Sequence, residues 1–175
     1  MGVKIKKILY NNKRKCKSEM PDLTPEEWVL AFVYAGNPTD PQSIKVGGKL
    51  LFVKEFFVFV KEVKPDLDKI FDFIPFDYGP YSFKLASTIT QFVDELVLDI
   101  EVFQVRSGYR YDYSLTTKGI DLARNAYEKI NPNIKSRLEK LRLDGDKAGY
   151  SGILHYVYSK YPEYTSASKI KEEIV

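Results

Sequence analysis

Apolar residues recur at helical spacing along most of this chain and alternate along one stretch, and that contrast sets the expected order of elements. In Leu23-Thr24-Pro25-Glu26-Glu27, Thr24 offers a capping hydroxyl, Pro25 suits the first helical position and Glu27 closes a capping box. A helix is predicted from about Thr24 to Ala35, stopped by Gly36 and Pro38. The next stretch, Ile44 to Val63, is crowded with Leu50, Leu51, Phe52, Phe56, Phe57, Val58, Phe59 and Val60. Its polar pairs Lys54-Glu55 and Lys61-Glu62 stand two helical turns apart, on one side, so it reads as a long, largely buried helix ended by Pro65. The segment Ile70 to Phe76, interrupted by Pro75, reads as an extended edge strand or connector, and Asp77-Tyr78-Gly79-Pro80 as a turn.

From Tyr81 to Leu96 the apolar positions Leu85, Ile89, Phe92, Val93 and Leu96 form the cleanest amphipathic helix. Leu98 to Arg106 and Tyr109 to Leu115 then read as a hairpin around Ser107-Gly108. Tyr109, Tyr111, Tyr113 and Leu115 alternate along one side of it, and the tyrosines are assigned mainly to the core. Thr116 or Thr117 caps a helix carrying Ile120, Ala123, Tyr127 and Ile130, which ends at Asn131-Pro132. Three shorter helices are expected after it: Ile134 to Leu143, Ser151 to Lys160, and Ser168 to the C-terminus.

This order predicts an α+β, mainly α fold: a winged helix-turn-helix-like domain over 21–131, with a basic arm over 1–20 before it and a helical extension over 132–175 after it. A helix followed by a two-stranded wing lets the helix enter a groove while the wing touches the backbone beside it. The Tyr81 to Leu96 helix would be the recognition helix, presenting Lys84, Ser87, Thr88 and Gln91 outward. The wing tip would present Arg106, Tyr109 and Arg110. Asp94-Glu95, at the far end of the same helix, would repel phosphate.

Composition narrows the classes. With 175 residues, 44% hydrophobic and 29% charged, the chain can bury a core and lies far from the disordered regime. Its apolar runs, Phe56 to Val60 among them, are far short of a membrane span. One cysteine, Cys16, excludes a disulfide within the chain and fits a cytoplasmic location. Residues 1 to 17 carry seven bases and no acid, leaving 20 bases against 24 acids in the rest. In that arm, Lys13, Arg14, Lys15 and Lys17 are candidates for nonspecific phosphate contacts, which gain from counterion release.

Catalytic chemistry finds little support. The single histidine, His155, sits beside apolar helix positions and is expected to pack against tyrosines rather than act as a base. Pro65-Asp66-Leu67-Asp68-Lys69 faintly suggests the start of a metal-dependent nuclease motif, yet Asp99-Ile100-Glu101-Val102-Phe103 lacks the lysine that would complete it. Val46-Gly47-Gly48-Lys49 lacks the spacing of a phosphate loop. No cofactor, metal or membrane is therefore expected.

Three segments carry a resemblance: Lys49-Leu50-Leu51-Phe52, the run from Phe71 through Tyr78-Gly79-Pro80-Tyr81-Ser82 to Phe83, and Tyr113-Ser114-Leu115-Thr116-Thr117-Lys118-Gly119. Over about 24–130 the chain resembles winged-helix proteins typified by the Panacea antitoxin domain and related prokaryotic proteins. The resemblance implies a nonenzymatic role: neutralising a toxin, acting as an adaptor, or regulating transcription. The expectation is a regulator that binds double-stranded DNA, with a protein-binding adaptor or antitoxin-like protein as the alternative, and a homodimer is compatible with either.

Overall fold

The computed structural model describes residues 23–106 and 108–169. Helix α1 spans Pro25–Tyr34, and Thr24 caps it: the Glu27 N–H donates to Thr24 Oγ1 at 3.1 Å and the Thr24 N–H to Glu27 Oε2 at 2.8 Å. Residues 28–34 are all buried, so α1 runs through the interior rather than along its surface. Strand β1 is only Val46–Gly47, and α2 follows over Lys49–Glu62. The predicted helix thus begins five residues late. The reason is local, since Gly48 turns the chain at φ +85°, which a right-handed helix cannot accommodate. Phe32 of α1 packs its ring 5.1 to 5.8 Å from those of Phe52, Phe56 and Phe59 of α2, and this aromatic stack is the centre of the core.

A single turn of helix, α3 (Asp68–Phe71), leads into two short strands, β2 (Ile74–Phe76) and β3 (Gly79–Tyr81), paired antiparallel with Pro75 opposite Pro80. The predicted edge strand is therefore half of a small hairpin, and the predicted turn supplies part of the other half. Helix α4 spans Phe83–Asp94, capped by Ser82, whose hydroxyl accepts from the Leu85 N–H at 3.0 Å. Leu85, Ile89 and Phe92 face the core as their spacing requires. Leu96 does not: it lies beyond the helix end at φ +55° and is exposed.

Strands β4 (Leu98–Val105) and β5 (Gly108–Leu115) pair from Leu98↔Leu115 to Val105↔Gly108, and β1 joins the outer side of β5 at Val46↔Tyr113 and Gly47↔Asp112. Helix α5 (Thr117–Glu128) is capped by Thr116, whose hydroxyl accepts from the Gly119 N–H and donates to the Leu96 carbonyl. Helix α6 (Pro132–Lys160) covers two predicted helices and the gap between them. It is broken at Gly149, where φ is +62° and ψ −171°. Leu138, Ile153, Leu154, Val157 and Tyr158 of α6 belong to the same hydrophobic core as α1 and α2. The helix predicted from Ser168 falls mostly outside the described residues, and Ser168 and Lys169 are not helical. The architecture is α+β and mainly helical, with two small antiparallel sheets. Among the described residues no helix is long and apolar enough to cross a membrane.

Candidate functional site

The residues singled out for nucleic-acid contact divide into three groups. Lys84, Ser87 and Gln91 are exposed on α4. Thr88 is not: it is 2% accessible, and its hydroxyl donates to the Lys84 carbonyl at 3.0 Å, so it faces inward and cannot touch a base. The helical period explains the miss, because Thr88 stands three positions after Leu85 and shares its buried side. Lys84 pairs with Glu26 of α1 at 2.8 Å, and this hydrogen bond holds the Glu26 carboxyl below its ordinary range. Gln91 donates to Glu95 at 2.8 Å.

On the β4–β5 hairpin, Arg106 and Tyr109 are exposed at the free end, with Tyr109 65% accessible. Arg110 is already engaged: its Nε lies 2.8 Å from Asp112 Oδ1, and its guanidinium sits 5.0 Å above the Phe103 ring. Tyr113 is buried as expected, and burial raises its pKa. Tyr109 and Tyr111 are exposed, contrary to their assignment to the core. The alternation is real, but the hairpin extends past the body it packs on, so only the Tyr113 end has a core to face. Lys84 sits on the first turn of α4, whereas Arg106 lies about 26 Å of extended chain from the base of the hairpin. Lys13, Arg14, Lys15 and Lys17 lie outside the described residues. His155 is exposed rather than packed among tyrosines.

A second surface was not singled out from the sequence. The β2–β3 hairpin and the first residue of α4 bring together Phe76, Tyr81 and Phe83, with ring centroids 5.1 to 5.6 Å apart and edge-to-face or tilted geometry. Phe83 is 60% accessible, and Ile74, Phe76 and Tyr78 are exposed beside it. The signal was present as the alternation Ile74, Phe76 across from Tyr81 and Phe83, hidden by the two prolines that suggest a loop. The hairpin is anchored from beneath by Lys54, which is 1% accessible and donates to the Pro80 carbonyl at 2.7 Å. Desolvation lowers the Lys54 pKa to about 7.

Two further buried charges tie α6 to the body. Arg142 and Glu55, both fully buried, form an ion pair, and the Arg142 guanidinium lies 5.0 Å above the Phe32 ring. Desolvation lowers the Arg142 pKa, opposed by Asp146 at 3.4 Å. Nearby, burial works against the Glu62 carboxylate, yet Tyr156, Lys160 and Tyr161 all donate to its Oε1 and together hold its pKa below the ordinary value. The sequence clue was the Lys54-Glu55 pair inside an apolar run. On a helix buried from Phe52 to Val60 those charges have no route to water and need partners from elsewhere in the chain.

Chemically, the exposed surfaces offer aromatic faces, scattered hydroxyls and cations largely neutralised by neighbouring acids. Among the described residues no group of three or more His, Cys, Asp or Glu side chains is placed to hold a metal ion. A scan against protein-family models gives no match, and no curated protein matches the chain.

Proposed function

We propose that this chain is a non-enzymatic, winged-helix-like module that binds another protein through the β2–β3 hairpin and the first turn of α4. The observation that carries the reading is the aromatic triad of Phe76, Tyr81 and Phe83, rings in mutual contact, in which Phe76 and Phe83 are exposed to water and Tyr81 is half-buried against the core. A cluster of adjoining exposed aromatics on one hairpin is the kind of surface that anchors a protein interface. The order α4, hairpin, capped α5 supports the winged-helix part of the reading. The segment that builds the triad is the same Phe71 to Phe83 run that carries the resemblance to antitoxin-type proteins. The test is co-expression with the product of an adjacent gene. Wild type is expected to elute as a stoichiometric complex, and a chain carrying Phe76→Ser and Phe83→Ser as a free species with an unchanged unfolding midpoint. A complex that survives both substitutions removes the proposal.

The second reading, binding of double-stranded DNA in transcription regulation, is favoured by the exposure of Arg106 and Tyr109 at the end of the β4–β5 hairpin. It is weakened by the engagement of Lys84 with Glu26 and of Arg110 with Asp112. For this reading, duplex retention must fall steeply with added salt and must weaken on all sequences when Arg106 and Arg110 are replaced together. Retention insensitive to either change leaves the protein-binding reading alone.

A further inference from the structure

Among the described residues, β4 is the strand that keeps one entire side open. It pairs with β5 along its whole length without a bulge, and no strand lies on its other side. Val105 and Gly108 close the hairpin across two residues and so form a hydrogen-bonded pair, which fixes the direction of every backbone group behind them. Phe103, Glu101 and Asp99 turn their N–H and C=O groups toward β5, and Gln104, Val102 and Ile100 turn theirs away from it. The Ile100 N–H is met by the carboxylate of Asp99 at 2.9 Å, whereas the outward groups of Val102 and Gln104 have no partner among the described residues. The shorter strands are blunted: β1 has two residues, and β2 and β3 each have a proline in the middle. β4 contains no proline or lysine, and Val102 is 52% accessible beside the exposed Tyr111.

Such a strand is completed by an antiparallel copy of itself, and the charges select the register, because like charges directly opposite each other are destabilising. Centred on Glu101, the pairing sets that acid against its own copy, and centred on Ile100 it sets Asp99 against Glu101. Centred on Phe103, it carries Asp99 past the end of the other strand. Centred on Val102, it places Ile100 opposite Gln104, Glu101 opposite Phe103 and Asp99 opposite Val105, with no acid facing an acid. This register also brings Asp99 beside Arg106 of the second copy, and neither of these side chains makes a salt bridge within one chain. We propose that two copies of the chain pair through β4 about a two-fold axis at Val102, joining their three-stranded sheets into one. Each facing pair, Val102 with its own copy and Ile100 with Gln104, then exchanges backbone hydrogen bonds through the groups that turn away from β5. The exposed Val102 side chains meet at the axis, flanked by Tyr111 of each copy. The surface around Phe76, Tyr81 and Phe83 is not used, so the dimer stands or falls independently of the protein partner proposed above.

Sedimentation equilibrium of the full chain tests this directly, and wild type is expected to show a reversible monomer–dimer equilibrium. Val102→Pro removes an outward N–H that β5 does not use, so it should weaken the dimer by about tenfold or more while the monomer stays folded. Asp99→Lys should weaken it by about tenfold, and Asp99→Lys with Arg106→Asp should restore it, which a general loss of folding would not allow. The register is read by cross-linking with Cys16→Ser as background. Val102→Cys should form a disulfide-linked dimer under mild oxidation. Gln104→Cys should do so at least about tenfold more slowly, since its own copy stands about 13 Å away along the strand. A wild type that is monomeric at every attainable concentration, a dimer indifferent to both Val102→Pro and Asp99→Lys, or equal cross-linking at the two positions overturns the inference.

Discussion

Lys54 offers the sharpest test of how the interior is built. Its amine is buried against the Pro80 carbonyl with no carboxylate partner among the described residues, and desolvation brings its pKa to about 7 from an ordinary 10.5. A neutral amine keeps the hydrogen bond to Pro80, so the bond itself does not require the charge. Between pH 7 and pH 10.5 the unfolded chain binds a proton at this residue that the folded chain does not, and stability must rise with pH across that window. The slope is at most about 1.4 kcal/mol per pH unit, and because the group is half-titrated near pH 7, the gain from pH 7 to pH 9 comes to about 2 kcal/mol. For a chain of this length that is a rise of about 4 to 8 °C in unfolding midpoint. Tyr113, Tyr127, Tyr158 and Tyr161 all have pKa values raised above 10, so they stay protonated in both states and do not contribute in this range. Urea unfolding of wild type and Lys54→Met at pH 7, 8 and 9 makes the comparison, and the variant should lose this part of the slope. A wild-type stability flat over these values, or the same slope in the variant, refutes the reasoning.

The Glu55–Arg142 pair predicts a different pattern. Removing one partner, by Arg142→Met or Glu55→Leu, should cost about 3 to 5 kcal/mol in urea unfolding, while the double substitution should recover most of that loss because no uncompensated charge remains. Gly119→Ala should destabilise by about 3 kcal/mol or more, since its Cβ would lie 2.1 Å from the Val97 carbonyl oxygen, a backbone atom that cannot yield without moving the sheet. Phe83→Ser should leave the free chain within about 0.5 kcal/mol of wild type, because that ring is largely solvated.

Helices were the most legible part of the fold where local chemistry marks both ends. Thr24 with Glu27, Ser82 and Thr116 each make a capping bond, and α1, α4 and α5 lie within about two residues of the expected limits. The β4–β5 hairpin was equally clear because Ser107-Gly108 separates two runs rich in β-formers. What periodicity could not supply was depth. It placed Thr88 outside and Tyr109 and Tyr111 inside, and the reverse holds because burial depends on what stands opposite, which is a tertiary fact. The same limit hid the destinations of Lys54 and Glu55, whose partners Pro80 and Arg142 are 26 and 87 residues away in sequence. The β2–β3 hairpin was obscured for another reason: Pro75 and Pro80 face each other, so the pair forms with fewer ladder bonds than ordinary strands.

The brevity of β1 has its own consequence. After pairing Val46 and Gly47 the chain turns away at Gly48, and the side of β5 from Gly108 to Tyr111 is left beyond the end of that ladder. Such a strand margin is a template for a second copy, and positive side chains are a common safeguard against that kind of stacking. Arg110 stands on this stretch of β5. Removing its charge should therefore promote higher-order species at raised concentration, visible by light scattering, whatever the chain's natural partner is.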